Sequence, residues 1–322
     1  MPFTVLKSVE EWLARFGNAT RTAISVGTFD GLHIGHQKIL QSVVQRARNY
    51  GYRSAAVTFD PHPMRVLQPD RAPLMIQTLA QRLAGFEQMG LDAALVLRFD
   101  HQLSLVSPED FIERILVEGM RAGAILVGAN FRFGHRGAGN VDLLREFGKR
   151  DGFDIAVVPP VDAGGQIVSS TAIRSAVASG NVAGAVPLLG RAFSLTGEIS
   201  SGAGRGRTIL FPTLNLEPQQ ELLPKLGVYA TESAVGGKLY SSVTNVGTRP
   251  TFNGAGITVE SHLFAFNESL ANGPMEVRFH TRIREERKFS GPDELRAQIA
   301  LDIEAARKFF SEQALAGHSP RD

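Results

Sequence analysis

The sequence predicts an α/β domain built on a parallel sheet, followed by a smaller, mainly antiparallel β domain that ends in a helix. Three observations carry this. From residue 22 to about 182, short apolar runs alternate with helix-like stretches. After Pro187, Gly, Thr and Asn become frequent and the apolar runs shorten or alternate. The length of 322 residues also exceeds one ordinary domain.

Taken in order, the strands of the first part fall at 23–26, 55–59, 93–97, 124–127 and 155–158. They are apolar on both faces, as buried parallel strands are. Helices are expected between them at 37–49, 77–89, 108–119 and 141–151. The junction is expected within 175–189, marked by Gly180, Gly184 and Pro187, giving domains 1–186 and 187–322. Beyond it, strand-like runs occupy 193–199, 227–234, 238–246, 258–266 and 276–283, with a hairpin turn at Gly236-Gly237. This pattern fits a barrel or a sandwich. Leu295, Ile299, Ile303, Ala306 and Phe310 step by helical intervals, and Pro292 suits a first turn. The tail 316–322 is expected to fray.

Composition narrows the class. The hydrophobic fraction is 43% and the formal net charge only +2, so charge alone does not imply nucleic acid. No cysteine is present, which removes disulfides and thiol chemistry. No apolar run approaches the ~18 residues of a membrane span, and a cytoplasmic enzyme is the default expectation.

Two segments look built for phosphate. Gly27-Thr28-Phe29-Asp30-Gly31-Leu32-His33-Ile34-Gly35-His36 joins the first strand to the first helix, at the carboxyl edge of the sheet where ligands bind. Gly27 and Gly31 permit backbone shapes closed to other residues. Gly35 lets an anion approach a helix N-terminus. His33 and His36, three apart, can face one point and supply donors to the charge of a pentacoordinate phosphorus. Ser169-Ser170-Thr171-Ala172-Ile173-Arg174 reads as a helix start. The second segment interleaves Gly202, Gly204 and Gly206 with Arg205 and Arg207, then runs into Phe211-Pro212-Thr213-Leu214-Asn215.

The first pattern resembles the His-x-Gly-His motif of the nucleotidyltransferase superfamily, and Ser169–Arg174 resembles its second motif. Thr58–Pro63 and Gly128–Gly134 follow two other strands on the same sheet edge. With all four strings in order, the region is similar to the FAD synthetase module of bacterial bifunctional riboflavin kinase/FAD synthetases. Phe211–Asn215 resembles the Pro-Thr-x-Asn motif of riboflavin kinases, as do the strings Gly227–Ala230, Asn245–Phe252 and Thr258–His262. The resemblance covers roughly residues 20 to 310. Leu210 replaces a frequent Gly, and the Leu-Tyr-Gly-Lys turn expected near 271–274 keeps only its Gly.

What the resemblance implies is a Rossmann-like nucleotidyltransferase domain and a riboflavin kinase barrel. The barrel would phosphorylate riboflavin with ATP, and the first domain would adenylylate FMN to FAD, releasing pyrophosphate. It implies catalytic roles for His33, His36 and Glu260, the last as general base. It implies ligand contacts for Gly27, Phe29, Asp30, Gly35, His62, Asn130, Ser169, Ser170, Thr171, Arg174, Gly204, Arg207, Thr213 and Asn215. Mg²⁺ would sit at Thr213 and Asn215, whose oxygens suit a hard cation. Riboflavin, FMN, FAD and ATP are the expected partners, without nucleic acid or membrane, and a homo-oligomer stays open. Two other readings are a single nucleotidyltransferase, for example on nicotinamide mononucleotide, with a non-catalytic barrel, and a nucleic-acid binder using Arg205 and Arg207.

Overall fold

The computed structural model describes residues 2–17, 19–200, 211–251, 254–267 and 270–317. Its contacts divide the chain into two units, Met1–Ser170 and Thr171–Asp322.

The first unit carries the strands β1 (Thr4–Leu6), β2 (Thr22–Val26), β3 (Arg53–Asp60), β4 (Ala93–Arg98), β5 (Ala122–Gly128) and β6 (Asp154–Val158). All pair in parallel in the order β1-β4-β3-β2-β5-β6. The helices between them are α1 (Val9–Phe16), α2 (Ile34–Tyr50), α3 (Pro63–Leu67), α4 (Leu79–Gln88), α5 (His101–Ser104), α6 (Pro108–Asp110), which runs on as π-helical turns over Phe111–Gly119, and α7 (Val141–Asp151). A small hairpin, β7 (Asp162–Ala163) and β8 (Gln166–Ile167), follows. All five expected strands form within two residues of their expected ends. The first strand and helix, β1 and α1, were not expected. A strand of three residues leaves too little periodicity to read, and α1 owes its place to Trp12, 1% exposed against the sheet.

The two faces of the sheet carry different side chains. Ile24, Val26, Val57, Leu95, Ile125 and Val127 fill one face against Trp12, Ile112, Leu144 and Phe147. Ala23, Ala56, Ala94 and Ala124 line the other, where Leu40, Val43, Val44 and Ala47 of α2 and Phe86 of α4 pack. Small residues on that face let α2 lie close to the strands. The strand order reverses between β2 and β5, which is the position where open α/β sheets bind ligands beyond their carboxyl ends.

The second unit is a closed barrel. Its strands are β9 (Phe193–Ser200), β10 (Leu214–Pro218), β11 (Gly227–Val235), β12 (Lys238–Thr251), β13 (Gly254–Leu263) and β14 (Pro274–Glu285), paired antiparallel in the circular order β10-β13-β12-β11-β14-β9. Helices α8 (Ser170–Ala178) and α9 (Val182–Leu189) precede it, and α10 (Pro292–Gly317) follows. The segment expected as a junction is therefore largely helical, and Pro187 lies inside α9. Gly236 and Gly237 turn β11 into β12 with φ of 58° and 77°, which matches a two-residue hairpin that needs two left-handed residues. Along β13, Val259, Ser261 and Leu263 are buried while Glu260 and His262 alternate to the other face. Inside the barrel, hydroxyls take up one another's hydrogen-bonding capacity: Thr231 bonds Ser242 at 2.8 Å and Thr244 at 2.6 Å, and Thr244 bonds Ser261 at 2.8 Å. Outside it, Val228, Ala230 and Val243 pack against Ile303 and Ala306 of α10, flanked by Ile299 and Phe310. That is the helix face expected from the spacing. Among the described residues, no helix is long and apolar enough to cross a membrane.

Candidate active sites

The loop after β2 is strained in a defined way. Phe29 and Leu32 have φ of 50° and 41°, a region costly for residues with a side chain. Burial holds them there. Phe29 is 2% exposed and its ring meets His36 and Phe86 edge-on at 5.3 and 5.5 Å. Asp30, 1% exposed, turns its carboxylate to the amides of Ile76 and Gln77 at 3.1 Å. The Asp30 carbonyl in turn accepts the Ser170 hydroxyl at 2.8 Å. Phe29, Asp30 and Ser170 thus hold the loop from beneath.

His33 is the N-cap of α2. Its Nδ1 accepts the His36 amide at 3.2 Å, which places its ring proton on Nε2. The two imidazoles stack at 3.6 Å with 16° between planes. A Cβ on Gly35 would come within 3.1 Å of the His33 ring, so the glycine makes room for that ring as well as baring the helix N-terminus. Burial pushes the His33 imidazole down to about 4, against a weaker opposing backbone hydrogen bond. His36 is held well below the usual imidazole range by burial first, then by the neighbouring His33 and Arg82. Burial thus favours the neutral form of both rings, and His33, its Nδ1 lone pair taken by the His36 amide, offers its Nε2–H. The Nδ1 of His36 is buried with no hydrogen-bond partner. Two neutral donors sit at the N-terminus of a 17-residue helix, above the point where the strand order reverses. The arrangement suits a polyphosphate.

Gly27, His62 and Asn130 lie at this same sheet edge, each just after a strand. Gly27 directly follows β2, and a Cβ there would press on the Phe29 ring at 3.2 Å. His62 follows β3 and caps α3, its Nδ1 accepting the Met64 amide at 3.2 Å. Asn130 is exposed in the turn after β5. Ser169 immediately precedes α8, which carries Ser170, Thr171 and Arg174 in its first turns. The structure adds Arg82 of α4, whose guanidinium bonds the Thr28 carbonyl of the loop.

The second site lies between the outer wall of the barrel and α10. A cavity of about 350 Å³ is lined by Phe211, Thr213, Asn245, Glu260, His262 and Arg284 together with Val228, Val243, Phe289 and the Leu295, Ile299 and Asp302 side of α10. Glu260 faces away from the barrel interior, as an isolated strand residue would, but α10 roofs the wall it stands on. Register places Glu260 opposite Asn215 on β10 and opposite Asn245 on β12. Asn215 stands next to Glu260 in that ladder, while Thr213 reaches the cavity itself. A Cβ on Gly247 would sit 2.8 Å from both the Asn245 amide and the Glu286 carboxylate, so a larger residue there would push both side-chain ends aside.

His262 holds the Phe-Pro-Thr segment in place. Its Nδ1 lies 2.9 Å from the Pro212 carbonyl, which can only accept, so that nitrogen carries the proton. Its ring also meets Phe211 edge-on at 5.7 Å. Across the cavity Arg284 forms a two-pronged pair with Asp302 at 2.9 and 2.8 Å, which Gln298 supports at 2.9 Å. Asn245, His262, Arg284, Phe289 and Asp302 were not picked out as site residues. Glu260-x-His262 in a strand was the signal available for His262, since residues two apart share a face. Gly202, Gly204, Arg205, Gly206, Arg207 and Leu210 lie outside the described residues.

Comparison with known proteins agrees with this division. A family model for FAD synthetase matches residues 16–172, and one for riboflavin kinase matches residues 189–310. A bifunctional riboflavin kinase/FMN adenylyltransferase of Escherichia coli K12 is 37% identical over 288 residues, 89% of this chain and 92% of the relative. One of Bacillus subtilis is 33% identical over 297 residues, covering 90% and 93%. A crystal structure described as a macrolide-efflux protein from Streptococcus pneumoniae superposes with a TM-score of 0.85 at 28% identity, covering 95% of this chain and 99% of that one. With one matched model on each side of residue 180 and whole-length relatives above 30% identity, the chain belongs to the bifunctional riboflavin kinase/FMN adenylyltransferase family.

Proposed function

We propose that the two reactions of this family are divided between the two sites described, with named residues in each. The family phosphorylates riboflavin with ATP to give FMN, then transfers AMP from ATP to FMN to give FAD, so ATP is a co-substrate of both reactions.

In the barrel, the riboflavin ring would occupy the apolar side of the cavity, among Phe289, Leu295, Ile299, Val228 and Val243. Its 5′-hydroxyl would meet Glu260. The carboxylate takes the hydroxyl proton as the oxygen bonds to the γ-phosphorus of ATP and the bond to ADP breaks. The observation that carries this is the convergence of Glu260, Asn245 and Thr213 on one cavity, with Asn215 adjacent in the ladder. Mg²⁺ fits the donors present. Among the described residues there is no cluster of three acidic or histidine ligands, and Thr213 and Asn215 offer neutral oxygens, which suits a cation that keeps phosphate and water as its other ligands. When bound with ATP, it would offset phosphate charge.

In the sheet unit, His33 and His36 would donate to the ATP phosphates while an FMN phosphate oxygen attacks the α-phosphorus and pyrophosphate leaves. Gly27, Gly35 and the first-turn amides of α2 border the phosphate. Asn130, Ser169, Thr171 and Arg174 are assigned to ATP and His62 to the flavin end, while Phe29, Asp30 and Ser170 act by holding the loop. Gly204 and Arg207 are kept as phosphate contacts of the kinase. The functional residues are divided at 186/187, into 1–186 and 187–322, with the barrel leaning on α9 for its stability. The protein is taken to be cytoplasmic, with no nucleic-acid partner.

Incubating the protein with riboflavin, ATP and Mg²⁺ and separating the flavins tests the division. FMN and FAD should both form, FMN alone with His36→Ala, and neither from riboflavin with Glu260→Gln, which should still convert added FMN to FAD. Loss of both activities in either variant would refute it. A lone adenylyltransferase with an idle barrel is not favoured, because the riboflavin kinase match spans the barrel and Glu260 lines its cavity.

A further inference from the structure

Helix α4 lies outside the phosphate loop, yet one of its side chains reaches that loop. Arg82 is 3% exposed. Its Nη1 donates to the Thr28 carbonyl at 2.6 Å, to the Thr58 hydroxyl at 2.9 Å and to the Phe59 carbonyl at 3.4 Å. Thr28 belongs to the loop that carries His33 and His36. Thr58 and Phe59 lie near the end of β3, four and three residues before His62. A single nitrogen therefore ties together the ends of two adjacent strands at the mouth of the site. The Nε of the same side chain is buried without a hydrogen-bond partner.

A buried cation is an expensive way to fill space, since its desolvation costs several kcal/mol even after relaxation. Burial disfavours the charge on Arg82, and Asp30 and Asp60 act in the opposite sense to retain it. A leucine or methionine could fill the same volume. Neither could bond two carbonyls and a hydroxyl, nor place a positive charge behind the histidine pair. After burial, the groups that act on His36 are the titratable ring of His33, which caps its helix, and the charge of Arg82 from α4, and both disfavour an imidazolium there.

We propose that Arg82 is a positioning residue for adenylyl transfer: a buried cation that locks the loop after β2 to the end of β3 and so fixes His33 and His36 against the polyphosphate. The proposal rests on the assignment of those histidines to that reaction. Arg82 touches no reacting atom. It acts through Thr28, which sets the loop, and through its charge, which keeps His36 a neutral donor.

The test compares Arg82→Met, Arg82→Lys and His36→Ala in the full-length chain. FAD formation from FMN and ATP is followed from pH 5 to 9, and riboflavin phosphorylation is measured in the same preparations. Arg82→Met should lower kcat for FAD formation about tenfold or more, since small misplacements of reacting groups carry large rate losses. Kinase turnover should stay within about twofold, because that site is built on other elements. The acid limb of kcat/KM should move to higher pH in Arg82→Met, because His36 has lost a positive neighbour and gains its proton earlier. Arg82→Lys, which restores the charge and a donor, should recover most of kcat and return the limb to its original position. Native kcat and a native acid limb in Arg82→Met, beside an inactive His36→Ala, would overturn the proposal and leave Arg82 as core filling. An active His36→Ala would overturn the histidine assignment itself. If Arg82→Met does not fold, Arg82→Gln replaces it with the same expected loss and the same overturning result.

Discussion

Asn215 and Glu260 stand directly opposite one another on β10 and β13, and Glu260 is opposite Asn245 on β12 in the next ladder. Directly paired residues share a face of the sheet. An amide two residues beyond the Pro-Thr string, a carboxylate 45 residues later and a second amide between them thus form one row on the outer wall of the barrel. Glu260 and Asn245 line the cavity that α10 closes, and Asn215 stands beside Glu260.

Glu260→Gln should slow riboflavin phosphorylation by about 10²–10⁴-fold, the usual contribution of a positioned general base. Glutamine keeps the shape but cannot take the proton. The loss should fall on kcat, with KM for riboflavin and ATP little changed. Near-normal turnover would show Glu260 to be a wall residue only.

His262→Phe should keep the ring contact with Phe211 and lose the bond to Pro212. The Phe-Pro-Thr segment then loosens, and KM for ATP should rise several-fold in the kinase reaction. Stability should fall by only about 0.5–1.5 kcal/mol, the usual worth of one hydrogen bond. His262→Asn, which can still donate, should restore part of the KM. An unchanged KM in His262→Phe would mean the segment is held by other contacts.

His36→Ala should reduce FAD formation from FMN by about 10²–10³-fold, the cost of one donor in a preorganised site. Riboflavin phosphorylation by the same preparation should remain within about twofold, as expected for sites on separate elements. A parallel loss of both would mean the two sites are not independent.

The histidine pair also predicts how stability depends on pH. His33 is depressed in the folded state from its ordinary 6.5 to about 4, chiefly by burial. Between those values the unfolded chain binds the extra proton, so stability rises with pH in this window. The contribution is full above about 6.5 and is lost as pH falls through about 4. It amounts to about 3 kcal/mol at most, at 1.36 kcal/mol per pH unit of displacement. Thermal melts of the full chain from pH 7 to 4 should show this decline, and it should be shallower in His33→Asn, whose side chain can cap α2 without titrating. Identical slopes would show that His33 is not held neutral by the fold.

A fragment of residues 171–322, the whole second unit, should fold and make FMN, while one of 187–322 should be much less stable. The shorter piece cuts α9 and removes Val182 and Ala185, both fully buried. Losing several such contacts typically costs several kcal/mol. Circular dichroism and a kinase assay on both fragments decide it. A stable, active 187–322 would place the boundary at Pro187 as the composition suggests.

The sequence by itself determined the strands of the parallel sheet and the helical face of α10. Continuous apolar runs and the 3.6-residue period are local signals, readable without a partner. It also determined the order of the motifs, on which the proposal of two separate phosphate sites rests. It did not determine that the β unit closes as a barrel, because alternation names the buried face of a strand and not its neighbour. Closure rests on pairs such as Asn215 with Ser200 on one side and Glu260 on the other. It gave no sign that an outward Glu260 would be roofed, since the roof is a helix beginning about 30 residues later. Nor did it mark Arg82 or His262 for their present tasks. Both act on segments 23 to 54 residues away in the chain, and only the folded chain brings a guanidinium to the Thr28 carbonyl or an imidazole to that of Pro212.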